Sequence, residues 1–264
     1  MSASTVINPK GSASAPAGGG AGPFASAALN SSVGAKVLVA LTGVSLVTFL
    51  VFHMIGNLKV FSGPDAINAY AHFLKHDLGA LIWIARAGLL GLFVLHLALA
   101  LRLKARARAA RPVPYAYPNS VQATPESRTM LLTGLVILVF VLFHLAHYTF
   151  AWVHGVEVHN PSTDKWEWKN YLSLTDSKGR HDVHSMIVAG FTTPWISVFY
   201  IVTQLLLFVH LRHGIQSAFQ TLGLKNARFR GAISFLGLAV AGTILIGNLF
   251  IVCGVWAGLA APIQ

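Results

Sequence analysis

Four histidines, His53, His96, His144 and His210, fall in four successive apolar runs of this chain. A neutral imidazole in hydrocarbon needs a partner for its lone pair, and a haem iron held between facing helices is one that repays the desolvation. For a single membrane histidine, an interhelical hydrogen bond is an equally good reading. Four at matching positions favour iron. His147 follows His144 by about one helical turn and His213 follows His210 likewise, so each doublet leaves open which ring is the ligand. The second member can instead bond a haem propionate or titrate at the membrane surface. His72, His76, His154, His159, His181 and His184 lie in loops or near interfaces, where solvated surface histidines are expected. Arg86 is the costliest residue, a guanidinium within an apolar run where no span contains Asp or Glu. It is expected to face the bundle interior and fork onto a propionate of the outer haem, with snorkelling to the outer interface as the alternative.

The elements that must carry these residues are membrane spans. The 264 residues are 55% hydrophobic and only 10% charged, with mean hydropathy +0.63, which excludes an ordinary water-soluble domain. Five apolar runs are long enough to cross a bilayer, at about 36–61, 81–103, 130–153, 186–209 and 233–257. The fold class is therefore an all-α integral membrane protein, a five-helix bundle. The fourth run belongs to a longer patterned stretch, 185–223, and contains Pro194, which should kink its helix by leaving the Gly190 carbonyl unbonded. Ser31 or Ser32 can start the first helix and Gly63-Pro64 can stop it. In the linker 62–79, Ile67, Tyr70, Ala71 and Leu74 recur at helical spacing, which predicts a short amphipathic helix between the first two spans. The loop carrying Trp166, Trp168 and Tyr171 among charges of both signs suits a structured cap at headgroup level. Residues 1–30, rich in Ala, Gly, Ser and Pro, form a flexible tail without the apolar core of a signal peptide, and 31–264 form the membrane domain. The single cysteine, Cys253, offers no disulfide and no thiolate metal site.

The formal charge of +11 comes from basic clusters that flank apolar runs, so topology explains it better than nucleic acid does. With the N-terminus cytoplasmic, the inner segments hold Lys10, Lys36, Arg102, Lys104, Arg106, Arg108, Arg111, Arg128, Arg212, Lys225, Arg228 and Arg230; the outer ones hold Lys59, Lys75, Lys165, Lys169, Lys178 and Arg180. That twelve-to-six bias predicts N-inside, C-outside, with five crossings of the cytoplasmic (inner) membrane. At about 1.5 Å of rise per residue, His53 and His144 then fall in the outer half of the slab and His96 and His210 in the inner half. Two pairs at two depths match two stacked haem b groups, each held by imidazoles from different helices.

The residues also resemble a known family. Thr42-Gly43, Phe52-His53-Met54-Ile55-Gly56-Asn57-Leu58, Asn68-Ala69-Tyr70-Ala71-His72-Phe73, Thr133-Gly134, Phe143-His144-Leu145, Pro194 to Tyr200, His210 to Gly214 and Phe219-Gln220-Thr221-Leu222-Gly223 are similar, in order, to the cytochrome b subunits of succinate dehydrogenase and fumarate reductase. The likeness covers about 31–230. It implies the single-chain, five-helix, dihaem type of membrane anchor, with His53, His96, His144 and His210 as axial ligands in preference to His147 and His213.

The resemblance further implies flavoprotein and iron-sulfur partner subunits on the cytoplasmic face, docked on the basic inner loops, with electrons exchanged between them and membrane quinone, menaquinone in most dihaem members. A higher oligomer is compatible with that type. Ser31, Ser32, Lys36 and Arg102 at the inner face are candidates for hydrogen bonds to quinone carbonyls, each with ordinary helix-end chemistry as its alternative. The glutamates that some fumarate reductases of the family carry near their haems have no counterpart in these spans. Two rival classes remain: the dihaem cytochrome b of another oxidoreductase, such as a formate dehydrogenase or nitrate reductase, and a haem-free transporter with a histidine-lined proton path.

Overall fold

The computed structural model of the chain describes residues 29–111, 113, 123–160, 162 and 164–260. Most of the expected tail, 1–28, lies outside the described residues. Five helices are long and apolar enough to cross a membrane, and the chain is a multi-pass helical bundle. Helix α1, Ser32–Leu58, starts where the Ser31 side chain accepts the Gly34 amide and continues into a 3-10 turn, Lys59–Ser62. Gly63, at φ 96°, turns the chain into α2, Pro64–His72, the short linker helix expected from its periodicity. A π-type turn, Phe73–Asp77, leads to α3, Ala80–Ala109. Helix α4, Pro125–His144, is capped by Thr124 and starts with proline, so Glu126 lies in its first turn, inside a span expected to begin later and to hold no carboxylate.

Two expected elements differ. The third span does not run as α-helix to 153; it ends at His144 and unwinds into a π-type turn, Leu145–Thr149, closed by the Phe150 amide on the Leu145 carbonyl. The widened turn swings His147 onto the same partner as His144, described below. The fourth span is broken, not kinked. Helix α5, Val183–Thr192, stops at an extended Thr193, and Pro194 is the first residue of α6, Pro194–Thr221. Proline has no amide to continue the ladder, so the break falls just before it. Its polar cost is met locally: the Phe191 carbonyl accepts from Ser197 Oγ at 2.5 Å and Trp256 Nε1 at 2.6 Å, while the Thr192 and Thr193 hydroxyls donate to the Ala189 carbonyl.

Helix α7, Arg230–Trp256, carries no histidine and serves as packing. It lies along α6 and α1, and a side chain at Gly254 would sit 2.6 Å from the Phe61 ring. Asn248 donates to Gln204 of α6 at 2.8 Å, a polar clasp in an apolar seam. Helix α1 packs on α3, α6 and α7, whereas α4 packs chiefly on α6 and α3 chiefly on α1. No tight seam joins α3 to α4 among the described residues. The histidine-bearing helices thus form two pairs, α1 with α3 and α4 with α6, joined through the α1–α6 contact.

The expected cap is a two-stranded antiparallel hairpin, β1 Gly155–Asn160 and β2 Lys165–Asn170, paired from Gly155↔Asn170 to Asn160↔Lys165. Trp152, Trp166 and Trp168 are exposed there, the composition of an interfacial belt. A buried asparagine staples cap to bundle. Asn68 of α2 is 0% exposed, donates its amide to Asp176 and Asp182, and accepts the His184 amide at 3.0 Å. Arg180 closes the ring through Asp176 at 2.6 Å and Asp65 at 2.7 Å.

Arg180, helped by the backbone amides of Arg180 and Lys178 and by Asn68, holds the Asp176 carboxyl well below the usual carboxylate range. A carboxyl depressed on folding adds stability above its unfolded value of about 3.9, and that stability is lost as pH falls through the lower folded value. Amide exchange across 155–182, corrected for intrinsic rate, should therefore be pH-independent down to about pH 4 and accelerate below it. Asp176→Asn should loosen the cap at neutral pH and remove most of the acceleration below about pH 4.

Candidate functional site

Near the hairpin end, α1 and α4 bring His53 and His144 together, ring centroids 5.6 Å apart and planes at 82°. Each ring leans on a phenylalanine one turn earlier: Phe49 stacks on His53 at 5.2 Å and Phe140 lies 5.9 Å from His144. His144 Nδ1 is 3.1 Å from the hydroxyl of Tyr200 on α6.

Toward the opposite, basic end, His96 of α3 lies against α1 and His210 of α6 against α4. His96 Nδ1 is 3.2 Å from the Val39 carbonyl and 3.0 Å from Thr42 Oγ1; His210 Nδ1 is 3.1 Å from Thr133 Oγ1. The proton positions follow from the partners. A carbonyl only accepts, so His96 must carry its proton on Nδ1. Each threonine hydroxyl also reaches carbonyls of its own helix, Thr42 that of Leu38 at 2.7 Å and Thr133 that of Thr129 at 3.1 Å, and a hydroxyl that donates there offers a lone pair to the imidazole. His96 is therefore an Nδ1–H tautomer with a free Nε2 lone pair, and His210 matches it when the Thr133 proton stays on its own helix. That is the state a metal-binding histidine needs, with its second nitrogen held by a neighbouring acceptor.

Glycine makes room for each ring. A side chain at Gly43 would meet His96 Cε1 at 3.1 Å, and one at Gly134 would meet His210 Cε1 at 3.4 Å. The two halves of the site are built alike: Leu41-Thr42-Gly43 with Phe49, Phe52 and His53 on α1 is repeated by Leu132-Thr133-Gly134 with Phe140, Phe143 and His144 on α4, at identical spacing. This short internal repeat is visible in the sequence, yet a search for solenoid-length periods passes over it. On each helix the Thr-Gly pair serves the basic-end histidine of the adjacent helix, and eleven residues later the helix offers its own. At about 1.5 Å per residue the two levels are about 16 Å apart.

The doublets separate clearly in space. His147 is 0% exposed and gives its Nδ1 to Tyr200 at 3.0 Å, so its ring is committed away from His53. His213 lies toward the basic end, within electrostatic reach of Glu126 and Lys225, where Glu126 also pairs with Arg212 at 3.2 Å. His184 is not a surface histidine: it is 1% exposed beneath the cap, because the Asn68 staple pulls the start of α5 inward. His154 is half-buried against Tyr171 and His147, where burial lowers its pKa.

Arg86 departs from the expected interior position. It is exposed, 4.8 Å over the Trp83 ring, because α3 packs on one side only and buries just Leu99. Its charge reaches Lys75, whose pKa is lowered by burial and by Arg86, so the hairpin side of α3 carries a paired cationic patch. Of the residues expected at a quinone, Ser31 is spent capping α1, Ser32 and Lys36 are exposed, and Arg102 donates to the Leu29 carbonyl and Asn30 Oδ1, while Arg106 reaches the Asn30 carbonyl. Ser31 is thus tied to the first turn of α1, and Arg102 to the residues just before it.

Among the described residues, no group of three or more His, Cys, Asp or Glu converges as a bare metal ion would need. The site offers imidazoles in twos. No protein family, curated protein or solved structure matches this chain. Thr133→Val should leave the His210 Nδ1–H without an acceptor and cost about 0.6–2 kcal/mol; thermal unfolding in detergent should show the loss and Thr133→Ser should recover most of it.

Proposed function

We propose that this chain is a dihaem cytochrome b, the five-helix membrane anchor of a succinate:quinone oxidoreductase, passing electrons between an iron-sulfur subunit and membrane quinone. One observation carries the reading: His53 and His144 from different helices meet with ring centroids 5.6 Å apart at one level, while at the other His96 and His210 turn Nδ1 to Thr42 and Thr133 on neighbouring helices, away from Nε2. His53 and His144 would hold one haem, and His96 and His210 the other. Iron porphyrin asks the protein for two axial ligands only, which suits imidazoles arriving in twos. Bound there, haem supplies reversible one-electron transfer, and two such groups about 16 Å apart would form a transmembrane wire.

The chain's own residues orient and insulate. Thr42 and Thr133 hold His96 and His210 in the ligating tautomer, and Gly43 and Gly134 let the rings lie flat on the facing helix. The Phe49 and Phe140 rings keep water from His53 and His144. The Lys75–Arg86 patch offers positive charge to the propionates of the hairpin-end haem, reached from the exposed edge of α3 instead of from the interior. At the other end, Arg102 to Arg111 and Arg212 to Arg230 present a basic surface suited to an acidic iron-sulfur subunit. The N-inside orientation in the cytoplasmic membrane and menaquinone as acceptor remain part of this proposal.

Haem-to-protein ratio tests it most directly. The purified protein should show low-spin b-type bands at about two haems per chain, reducible by succinate when its partner subunits are present. His210→Ala should remove one haem and His53→Ala the other. A colourless protein would sink the reading and leave a histidine-lined proton path as the better account. Bands that formate or another donor reduces through co-purifying subunits, and succinate does not, would assign the chain to a different oxidoreductase.

A further inference from the structure

The two histidine levels differ in what fixes their protons. At the basic end the Val39 carbonyl fixes the His96 proton on Nδ1, and Thr133 has carbonyls of its own helix to take its proton. At the hairpin end the partner of His144 is the Tyr200 hydroxyl, which lies 3.1 Å from His144 Nδ1 and 3.0 Å from His147 Nδ1. A phenol has one proton, so it can donate to only one of these nitrogens and must accept from the other. Among the described residues neither Tyr200 nor either ring bonds a backbone acceptor through its side chain, so the direction is set by the rest of the line.

We propose that His147 is a positioning residue that acts through Tyr200 to keep His144 in its ligating tautomer. The inference rests on the haem reading. With Nε2 of His144 on iron, its one proton lies on Nδ1 and is donated to the Tyr200 oxygen. The Tyr200 proton then goes to His147 Nδ1, and His147 carries its own proton on Nε2. Without a lone pair at His147, the Tyr200 hydroxyl is free to turn and donate to His144 Nδ1, which favours the tautomer whose Nε2 is protonated and cannot bind metal.

The surroundings are built to hold this line rigid. The His147 and Tyr148 rings lie with centroids 4.0 Å apart and planes tilted by 34°, and His154 lies 4.7 Å from His147. Phe140, Phe143 and Phe191 wall Tyr200 edge-on, leaving it 5% exposed. Gly190 of α5 closes over the far side: a side chain there would come within 2.7 Å of the Tyr148 hydroxyl and 3.0 Å of His147 Nε2. The π-type turn at Leu145–Thr149 is what sets His147 on the same hydroxyl as His144.

The sign of the effect follows from ligand basicity. Donating Nδ1–H to an oxygen makes the imidazole a stronger donor and stabilises ferric iron. Tyr200→Phe removes that acceptor, so the haem that His144→Ala eliminates should become easier to reduce, while the other keeps its potential. Redox titration of the purified haem protein should show the oxidised-to-reduced ratio of that haem falling about three- to tenfold at fixed potential, where tenfold is about 59 mV. His147→Leu should move it the same way by less, and His147→Gln, whose amide oxygen can accept the Tyr200 proton, should restore the wild-type value. Should Tyr200→Phe lose that haem altogether, the Leu and Gln variants decide: a shift in Leu that Gln rescues supports the inference, and equal potentials overturn it. Two haems with unchanged potentials in Tyr200→Phe and His147→Leu overturn it while the haem reading stands; wild-type protein without haem overturns that reading instead.

Discussion

A polar atom in the middle of an apolar bundle must find a partner within the protein, and that requirement organises this structure. Water would satisfy an imidazole from any direction; hydrocarbon satisfies it from none. Three histidines of the bundle meet that requirement through a side chain on another helix. His96 needs the Val39 carbonyl and Thr42, His210 needs Thr133, and His144 needs Tyr200. These contacts orient the imidazoles, and for His96 the Val39 carbonyl also decides which nitrogen is left bare.

The same requirement explains the irregular places. The chain breaks its fourth span at Thr193 only because Ser197 and Trp256 take up the Phe191 carbonyl. The π-type turn after His144 exposes no backbone without return, since the Phe150 and Trp152 amides find the Leu145 and Ala146 carbonyls. Both irregularities lie near the hairpin end, beside Tyr200 and His147. Around the basic-end histidines, by contrast, α1, α3, α4 and α6 are regular helix, and these histidines are held by backbone and threonine. A regular helix fixes proton positions through its own carbonyls, while an irregular segment leaves that task to side chains.

Duplication gives the site its two levels. The Leu-Thr-Gly and Phe-His signatures recur on α1 and α4, and each helix both supports a neighbour's imidazole and supplies one of its own. A helix used this way needs lateral room for a ring at the Thr-Gly level, hence glycine, and an aromatic insulator at the histidine level, hence phenylalanine. Helix α7 takes no part in this pattern. It braces α1 and α6 from outside through small residues and the Asn248–Gln204 clasp, leaving the histidine-bearing pairs free of competing contacts.

By itself the sequence determined the five spans, the short linker helix, a structured cap and the four histidines worth watching, because apolar run length and the cost of a polar residue within such a run are local quantities. It also contained the Thr-Gly pairs and their repeat, though nothing local said that Thr42 would meet His96 across 54 positions or Thr133 meet His210 across 77. Tertiary structure alone decided that His147 and His184 are buried, that Arg86 lies on the outer edge of α3, that Pro194 breaks the span, and that one tyrosine hydroxyl lies between two imidazoles. Burial and proton direction depend on which helices touch. In a bundle where every helix is apolar all round, periodicity carries no record of the neighbour each face will find.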